Sequence, residues 1–283
     1  MSITAKTAPN TSHGNRSVLD PLRPVTVPDF FGAKARGIRL TMLTAYDFTM
    51  AKLVDAAGVD SILVGDSLGM VVQGQPDCLG VTLDEMVYHT RLVMRGTRRA
   101  LVVADLPFMS YQVSPQQALE SAGRLIKEGG AHAVKLEGGV RSAAAVAAIT
   151  AADIPLMGHI GLTPQSVRRL GGFKVQRDAD KLIEDALAIE AAGAFALVVE
   201  CVPTEMAARV TAAVKIPTIG IGAGPQCDGQ ILVTPDILGM FDDFRPRFVK
   251  QYSDVGQSVR RSVESYCREV RDGSFPDAEH SFR

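Results

Sequence analysis

Eight short apolar runs, each followed by a polar strand end and then a helical or turn pattern, constrain this chain more than any other feature. They occupy residues 40–45, 61–64, 101–104, 133–136, 154–157, 195–199, 217–221 and 231–233. The runs are continuously apolar rather than alternating, which is the signature of strands buried on both faces of a parallel sheet. Helix signals lie between them. Thr82 with Glu85 forms a capping box ahead of residues 86–94, and Ser114-Pro115-Gln116-Gln117 adds a first-turn proline to the same kind of start. Asp180 opens a helix ended by Gly193, and Thr163-Pro164 opens another. Strand–helix alternation through eight strands predicts an α/β fold of the (β/α)8 TIM-barrel type, with a doubly wound open sheet as the alternative.

At 283 residues the chain has room for two domains, yet no Gly/Ser-rich linker interrupts it. One barrel domain over residues 37–283 is expected, preceded by a flexible tail over residues 1–36. The barrel ends in a helical extension whose Val259, Val263, Tyr266, Cys267 and Val270 form an apolar stripe. Thirty Lys and Arg against 31 Asp and Glu leave a net charge of −1, which removes nucleic acid and anionic membrane as expected partners. Cys78, Cys201, Cys227 and Cys267 show no metal-ligand spacing and suit a reducing compartment. With no apolar run near the roughly 20 residues of a membrane span and no secretory signal, a cytoplasmic chain is expected.

Polar residues gather where the strands end. There stand Tyr46-Asp47, Asp66-Ser67, Asp105, Lys135 with Glu137, His159 and Glu200. In a barrel these ends converge on one rim, where active sites are built. Clustered carboxylates raise one another's pKa unless a cation compensates. A hard divalent ion is the economical solution, and Mg²⁺ fits better than Zn²⁺ because thiolates and paired histidines are lacking. Each residue also has a plainer reading. Asp47 is better explained as a helix cap. Asp105 precedes Leu106-Pro107, so capping explains it poorly. Lys135 sits in an apolar strand and needs an anion, and Glu137 shares its face, so a structural Lys–Glu pair remains open. Glu200 has no capping pattern after it, and a lone His159 is more often structural than catalytic.

Two glycine-rich segments are weaker signals. Residues 219–224 superficially match a dinucleotide fingerprint but lack the following helix, leaving a phosphate nest or a tight turn. Residues 171–176 are expected to form a mobile loop able to cover the rim.

Several strings together resemble ketopantoate hydroxymethyltransferases. They are Leu43-Thr44-Ala45-Tyr46-Asp47, Gly65-Asp66-Ser67-Leu68-Gly69-Met70, Ala104-Asp105-Leu106-Pro107-Phe108, Val134-Lys135-Leu136-Glu137-Gly138-Gly139 and Gly158-His159-Ile160-Gly161-Leu162-Thr163-Pro164-Gln165-Ser166. Glu200-Cys201-Val202-Pro203, residues 219–224 with Asp228-Gly229-Gln230, and Glu279-His280-Ser281-Phe282 complete the set. The resemblance implies a barrel of the phosphoenolpyruvate/pyruvate-binding type. It also implies transfer of a hydroxymethyl group from 5,10-methylenetetrahydrofolate to 3-methyl-2-oxobutanoate through a Mg-stabilised enolate, on the route to pantothenate. By the same resemblance Asp66, Asp105 and Glu137 would hold one Mg²⁺ per subunit, directly or through water. Asp66, Ser67, Asp105 and Lys135 would contact the 2-oxo acid, Glu200 would accept the proton, and the chain would form a homo-oligomer, commonly a decamer.

Two segments depart from the family pattern. Arg177-Asp178-Ala179 follows Gln176 where the family carries Gly-Arg, and residues 76–80 lack the proline usual before Val81-Thr82. Neither departure touches a proposed metal or base position. Two alternatives stay open: a related Mg-enolate lyase or mutase barrel, and a non-catalytic barrel that binds a 2-oxo acid. A Lys-Lys-Cys-Gly-His loop, expected in the lyases, is absent.

Overall fold

A computed structural model of the chain describes residues 19–20, 23–241 and 246–282. Eight parallel strands close into a barrel in sequence order. They are β1 (Leu40–Thr44), β2 (Ser61–Val64), β3 (Leu101–Asp105), β4 (Ala133–Glu137), β5 (Leu156–Gly161), β6 (Ala196–Glu200), β7 (Thr218–Ile221) and β8 (Gly229–Leu232). The barrel, rather than an open sheet, is therefore correct, and β1 closes on β8 with Leu40 opposite Gly229. The match to the sequence runs fails at three ends. β5 begins two residues late and continues through Gly161, so His159 lies inside the strand. β8 starts at Gly229, two residues early. β7 also passes to β8 without a helix, so the alternation is incomplete there.

Parity along the strands explains how one inward face carries both core and chemistry. Side chains alternate across a strand, so every second residue points inside. In the interior cluster, Leu40, Met42, Leu63, Leu101, Val103, Ala133, Met157, Ala196, Val198, Ile219 and Ile231 pack together. Two residues further along the same faces come Thr44, Asp105, Lys135, His159 and Glu200, with Glu137 beyond Lys135. The apolar layers thus sit low and the ionisable layer lies at the C-terminal rim. The outward face of the strands packs against the surrounding helices through Ile62, Val64, Val102, Ala104, Leu136, Leu197 and Val199.

Residues 27–36 are not part of a tail. Val27–Arg36 forms helix α1, with Pro28 in its first turn and Gly37 in the left-handed conformation at its end. Its Phe30 is fully buried and meets Phe195 edge-on at 5.6 Å, plugging the bottom of the barrel. Lys34 donates to the carbonyls of Thr211, Val214 and Ile216 and pairs with Asp228 at 3.2 Å. These carbonyls end the helix Thr204–Ala213 and its exit, and Lys34 replaces the partners they would otherwise lack. Within 27–36 the expectation of a tail is corrected; the helix gave little sign because α1 is short and its one large buried residue gives little periodicity. Residues 1–18 lie outside the described residues. Phe30→Ala should cost about 3–5 kcal/mol in urea unfolding; a loss within experimental error would mean that α1 is not integral to the barrel.

The capping predictions divide. Thr82 and Glu85 form the capping box of Leu83–Gly96, and Ser114 accepts from the Gln117 amide to start Pro115–Lys127. Asp178, not Asp180, caps Ala179–Ala191 by accepting from the Lys181 amide. The C-terminal helix Val255–Asp272 ends at Gly273, as the sequence implied. Its stripe of Val259, Val263, Tyr266 and Val270 is exposed rather than packed on its own barrel.

Candidate active site

Parallel register places the rim residues side by side. Asp105 of β3 lies opposite Lys135 of β4, Glu137 opposite His159 of β5, and Gly161 opposite Glu200 of β6. Gly161 has φ 91°, and a Cβ there would come within 2.3 Å of the Glu200 carbonyl, so only glycine fits this approach. Asp66 follows β2 in a tight turn, and its amide donates to Asp105 Oδ2 at 3.2 Å. The sequence-predicted residues Asp66, Ser67, Asp105, Lys135, Glu137 and Glu200 are thus brought together. Asp47 stands apart as the helix cap that its spacing indicated, accepting from the Met50 amide at 2.8 Å.

The centre of this layer is Lys135. Its Nζ lies 2.8 Å from Asp105 Oδ1, with both side chains buried, and 3.3 Å from His159 Nδ1. Burial opposes its charge, but Asp105, Glu137 and Asp66 together outweigh that and keep it protonated. An ammonium only donates, so His159 Nδ1 must accept and the ring proton sits on Nε2. Burial and the neighbouring Lys135 charge hold the imidazole neutral. Its Nε2 lies 3.2 Å from Glu200 Oε2, yet it is buried and makes no hydrogen bond in this structure. His159 is therefore neither a lone core histidine nor a distant residue. It stands beside Glu200, the carboxylate that the family resemblance marks as the base.

The carboxylates are held far from their ordinary ionisation. Burial, with the Asp105 charge adding to it, pushes Asp66 up to about 7. Glu137 is pushed well up by burial and by the Asp66 charge. Burial pushes Glu200 up to about 7, opposed by Lys135. Glu200 is also the most accessible of the group, with 15% of its side chain exposed against 2–5% for Lys135, Asp105 and Glu137. It is the member able to meet a substrate entering from the rim.

Four further residues complete the site; Tyr46 stands at a strand end already marked in the sequence, and the other three gave little sign there. Tyr46 pairs its hydroxyl with Ser67 Oγ at 2.8 Å. The buried Cys78 side chain lies close enough to Asp66 to affect its ionisation. The Tyr111 hydroxyl accepts from the Glu137 amide at 3.2 Å. Gln165 donates to Asp66 Oδ2 at 2.8 Å, and its amide N–H donates to Glu137 Oε2 at 3.0 Å. Cys78, Tyr111 and Gln165 arrive from loops or from distant segments, so spacing could not reveal them. The resemblance strings contain Tyr46 and Gln165 but assign them no role.

Two cavities adjoin the rim. One, of about 310 Å³, is lined by Phe108, Tyr111, Glu137, Gln165 and Ser166 among others. The second, of about 330 Å³, is lined by Gly138, Arg141, Gly161, Arg169, Gln176 and Lys181 among others. The loop over residues 171–176 borders it through Gln176, whose amide donates to the Cys201 carbonyl. Residues 219–224 form the tight turn rather than a phosphate loop. Gly222 is covered by Phe248, Gly224 abuts Thr204, and no helix precedes β8.

The residues present fit a hard divalent cation. Asp66, Asp105 and Glu137 offer only oxygen donors, and one ammonium faces all three while His159 is neutral. Asp105 Oδ1 is buried with no hydrogen-bond partner, near only the Lys135 charge. Among the described residues no group of three His, Cys, Asp or Glu side chains is arranged to hold a metal ion by itself. An ion held by one or two of these carboxylates would need water and substrate oxygens to complete its shell, as Mg²⁺ commonly does.

Comparison with known proteins identifies the fold and the family. Phosphonopyruvate hydrolase, solved with oxalate and Mg²⁺, superposes with a TM-score of 0.60 at 15% identity, covering 90% of this chain and 93% of that one. 2,3-Dimethylmalate lyase, of the PEP mutase/isocitrate lyase superfamily, gives 0.60 at 18% identity, covering 90% and 91%. Likeness at this identity speaks for the fold alone. The sequence is 58% identical to the 3-methyl-2-oxobutanoate hydroxymethyltransferase of Clostridium beijerinckii, over 91% of this chain and 95% of that protein. It is 57% identical to that of Moorella thermoacetica (92% and 98%) and 53% identical to that of Pelobacter propionicus (93% and 99%). The family model for ketopantoate hydroxymethyltransferase matches residues 24–278, and this chain belongs to that family.

Proposed function

We propose that the chain transfers a hydroxymethyl group from 5,10-methylenetetrahydrofolate to 3-methyl-2-oxobutanoate, with water supplying the hydroxyl oxygen. The products are 2-dehydropantoate (ketopantoate), for pantothenate synthesis, and tetrahydrofolate. The observation that carries the reading is the placement of Glu200. It is a raised, partly accessible carboxylate beside neutral His159, at the open side of a layer containing Lys135 and three further carboxylates. The C3 proton of the 2-oxo acid is only weakly acidic. Glu200 takes it, and a base poised near the working pH is well matched to that task. Lys135 faces the charge that then develops on the 2-oxo oxygen. Ser67, its hydroxyl pinned by Tyr46, and Asp66 orient the acid at the mouth of β2. Asp66, Asp105 and Glu137 would hold one Mg²⁺, directly or through water, and when bound it would supply Lewis-acid stabilisation of that charge. The carbon nucleophile forms the new C–C bond to the one-carbon unit, whose two C–N bonds to the folate break; water supplies the C–O bond, and the C3 proton and one water proton end on the two folate nitrogens.

The lyase and mutase alternative shares the fold, but the relatives above half identity carry the hydroxymethyltransferase name. A merely binding barrel has no use for a raised base at the rim. The test is direct. Incubation with both substrates and Mg²⁺ should yield 2-dehydropantoate, chelation should stop it, and returned Mg²⁺ should restore it; absence of product with both substrates present would refute the reading.

The reading extends to a homo-oligomer in the cytoplasm. The exposed stripe of Val255–Asp272 supports the first, and four unpaired cysteines support a reducing compartment. No helix among the described residues is long and apolar enough to cross a membrane. Light scattering should give a multiple of the chain mass, and a monomer at micromolar concentration would remove the oligomer.

The same reading fixes a pH dependence. A carboxylate raised to about 7 in the fold stabilises it below its ordinary range, and that contribution is lost as pH rises through about 7. His159, held low, gives the opposite slope below about pH 6.5. The change produced by Mg²⁺ at each pH separates these effects, because the cation competes with protons at Asp66 and Glu137. The rise in thermal midpoint on adding Mg²⁺ should be small at pH 5.5 and grow towards pH 8. An increment independent of pH would contradict proton–cation competition at these carboxylates.

A further inference from the structure

We propose that Gln165 is the positioning residue for the two carboxylates Asp66 and Glu137, an inference that rests on the cation reading above. Gln165 is buried, in the short turn Pro164–Ser166 that follows β5. From there it reaches across the rim to the ends of β2, β3 and β4. Its side-chain Nε2 donates to Asp66 Oδ2 at 2.8 Å and to the Leu106 carbonyl at 3.0 Å. Its Oε1 accepts from the Tyr111 hydroxyl at 2.7 Å and from Gln112 Nε2 at 3.1 Å. Its backbone N–H donates to Glu137 Oε2 at 3.0 Å.

Every hydrogen-bonding position of the amide is therefore used, two donors and two lone pairs. The assignment of its ends follows from the partners. Leu106 O and the Asp66 carboxylate only accept, and Gln112 Nε2 only donates, so the reversed amide would meet mismatched partners at both ends. An amide pinned at four points fixes the plane of the Asp66 carboxylate, and the backbone donor of the same residue fixes one oxygen of Glu137. An apolar side chain of the same length would fill the space but leave Asp66 Oδ2 without its donor. Groups that hold ligands in this way typically account for about 10–100-fold in metal affinity.

The test is titration of the full chain with Mn²⁺, followed by electron paramagnetic resonance, in the presence of 3-methyl-2-oxobutanoate. Mn²⁺ prefers the same octahedral oxygen shell as Mg²⁺. Gln165→Met, close to glutamine in length and volume, should weaken Mn²⁺ binding about 10–100-fold in protein that circular dichroism shows to be folded. Tyr111→Phe, which removes one pin on Oε1 together with the hydroxyl's contacts to the Glu137 backbone and leaves Gln165 in place, should fall between wild type and Gln165→Met. It also serves if the first variant does not fold. A purely structural role would lower the thermal midpoint and leave the Mn²⁺ affinity of the folded protein unchanged. That result in Gln165→Met, or in Tyr111→Phe where the first is unfolded, overturns the proposal. Wild-type protein that takes up no Mn²⁺ overturns the cation reading itself, a distinguishable failure because it appears without any substitution.

Discussion

Glu200→Gln is expected to lower single-turnover formation of product by about 10²–10⁴-fold, the usual worth of a positioned general base. The fold and the affinity for 2-oxo acid should be retained. The substitution keeps the shape of the side chain beside His159, whose Nε2 lies 3.2 Å away in the wild type. It removes the one feature the chemistry needs, a carboxylate that can hold a proton. Burial pushes that carboxylate up to about 7, so its basic form dominates above that pH. The wild-type rate should therefore rise with pH through about 7, and this limb should vanish in the variant. A variant with an undiminished rate would dismiss Glu200 as the base while leaving the barrel and its cation site untouched.

Asp105→Ala is expected to have the second large effect, on both stability and binding. Asp105 is the nearest anion to Lys135, 2.8 Å away, with both side chains about 5% exposed or less. Removing one partner of a buried ion pair typically costs about 3–5 kcal/mol, because the remaining charge is stranded. Here Glu137 and Asp66 also raise the Lys135 pKa, so the loss should fall at the lower end. On the proposed reading the same change should abolish Mg²⁺-dependent binding of 3-methyl-2-oxobutanoate in calorimetry. Asp105→Asn separates the two roles. It retains an acceptor for the Asp66 amide and should recover part of the stability without recovering the binding. Unaltered cation-dependent affinity in Asp105→Ala would refute the role of Asp105 in holding the ion.

Much of this arrangement is legible in the sequence because strands impose parity. Asp105, Lys135, Glu137 and Glu200 each lie at the end of an apolar run, and a parallel barrel sends all such ends to one rim. Asp47 shows the same position with a different outcome, since the helix begins directly after it and uses the carboxylate as a cap. His159 is harder to place, because β5 extends to Gly161 and carries the ring into the charged layer instead of beyond it. Its tautomer depends on Lys135, a residue of the neighbouring strand. Gln165 is harder still. Its partners Asp66, Leu106 and Tyr111 lie 99, 59 and 54 positions away, and only the folded loop brings them within reach. The helix α1 was hidden for the opposite reason. Its packing depends on Phe30 meeting Phe195 across the barrel floor, a contact with no local pattern.

The central claim is that Glu200 removes the C3 proton of a 2-oxo acid within a cation-assisted carboxylate layer. Exchange of that proton with deuterated solvent, followed by NMR on 3-methyl-2-oxobutanoate with Mg²⁺ and again with EDTA, tests it most directly. The expected result is exchange that depends on Mg²⁺, needs no complete turnover, and is greatly slowed in Glu200→Gln. Intact enzyme that exchanges no C3 proton, with or without the folate, would contradict it.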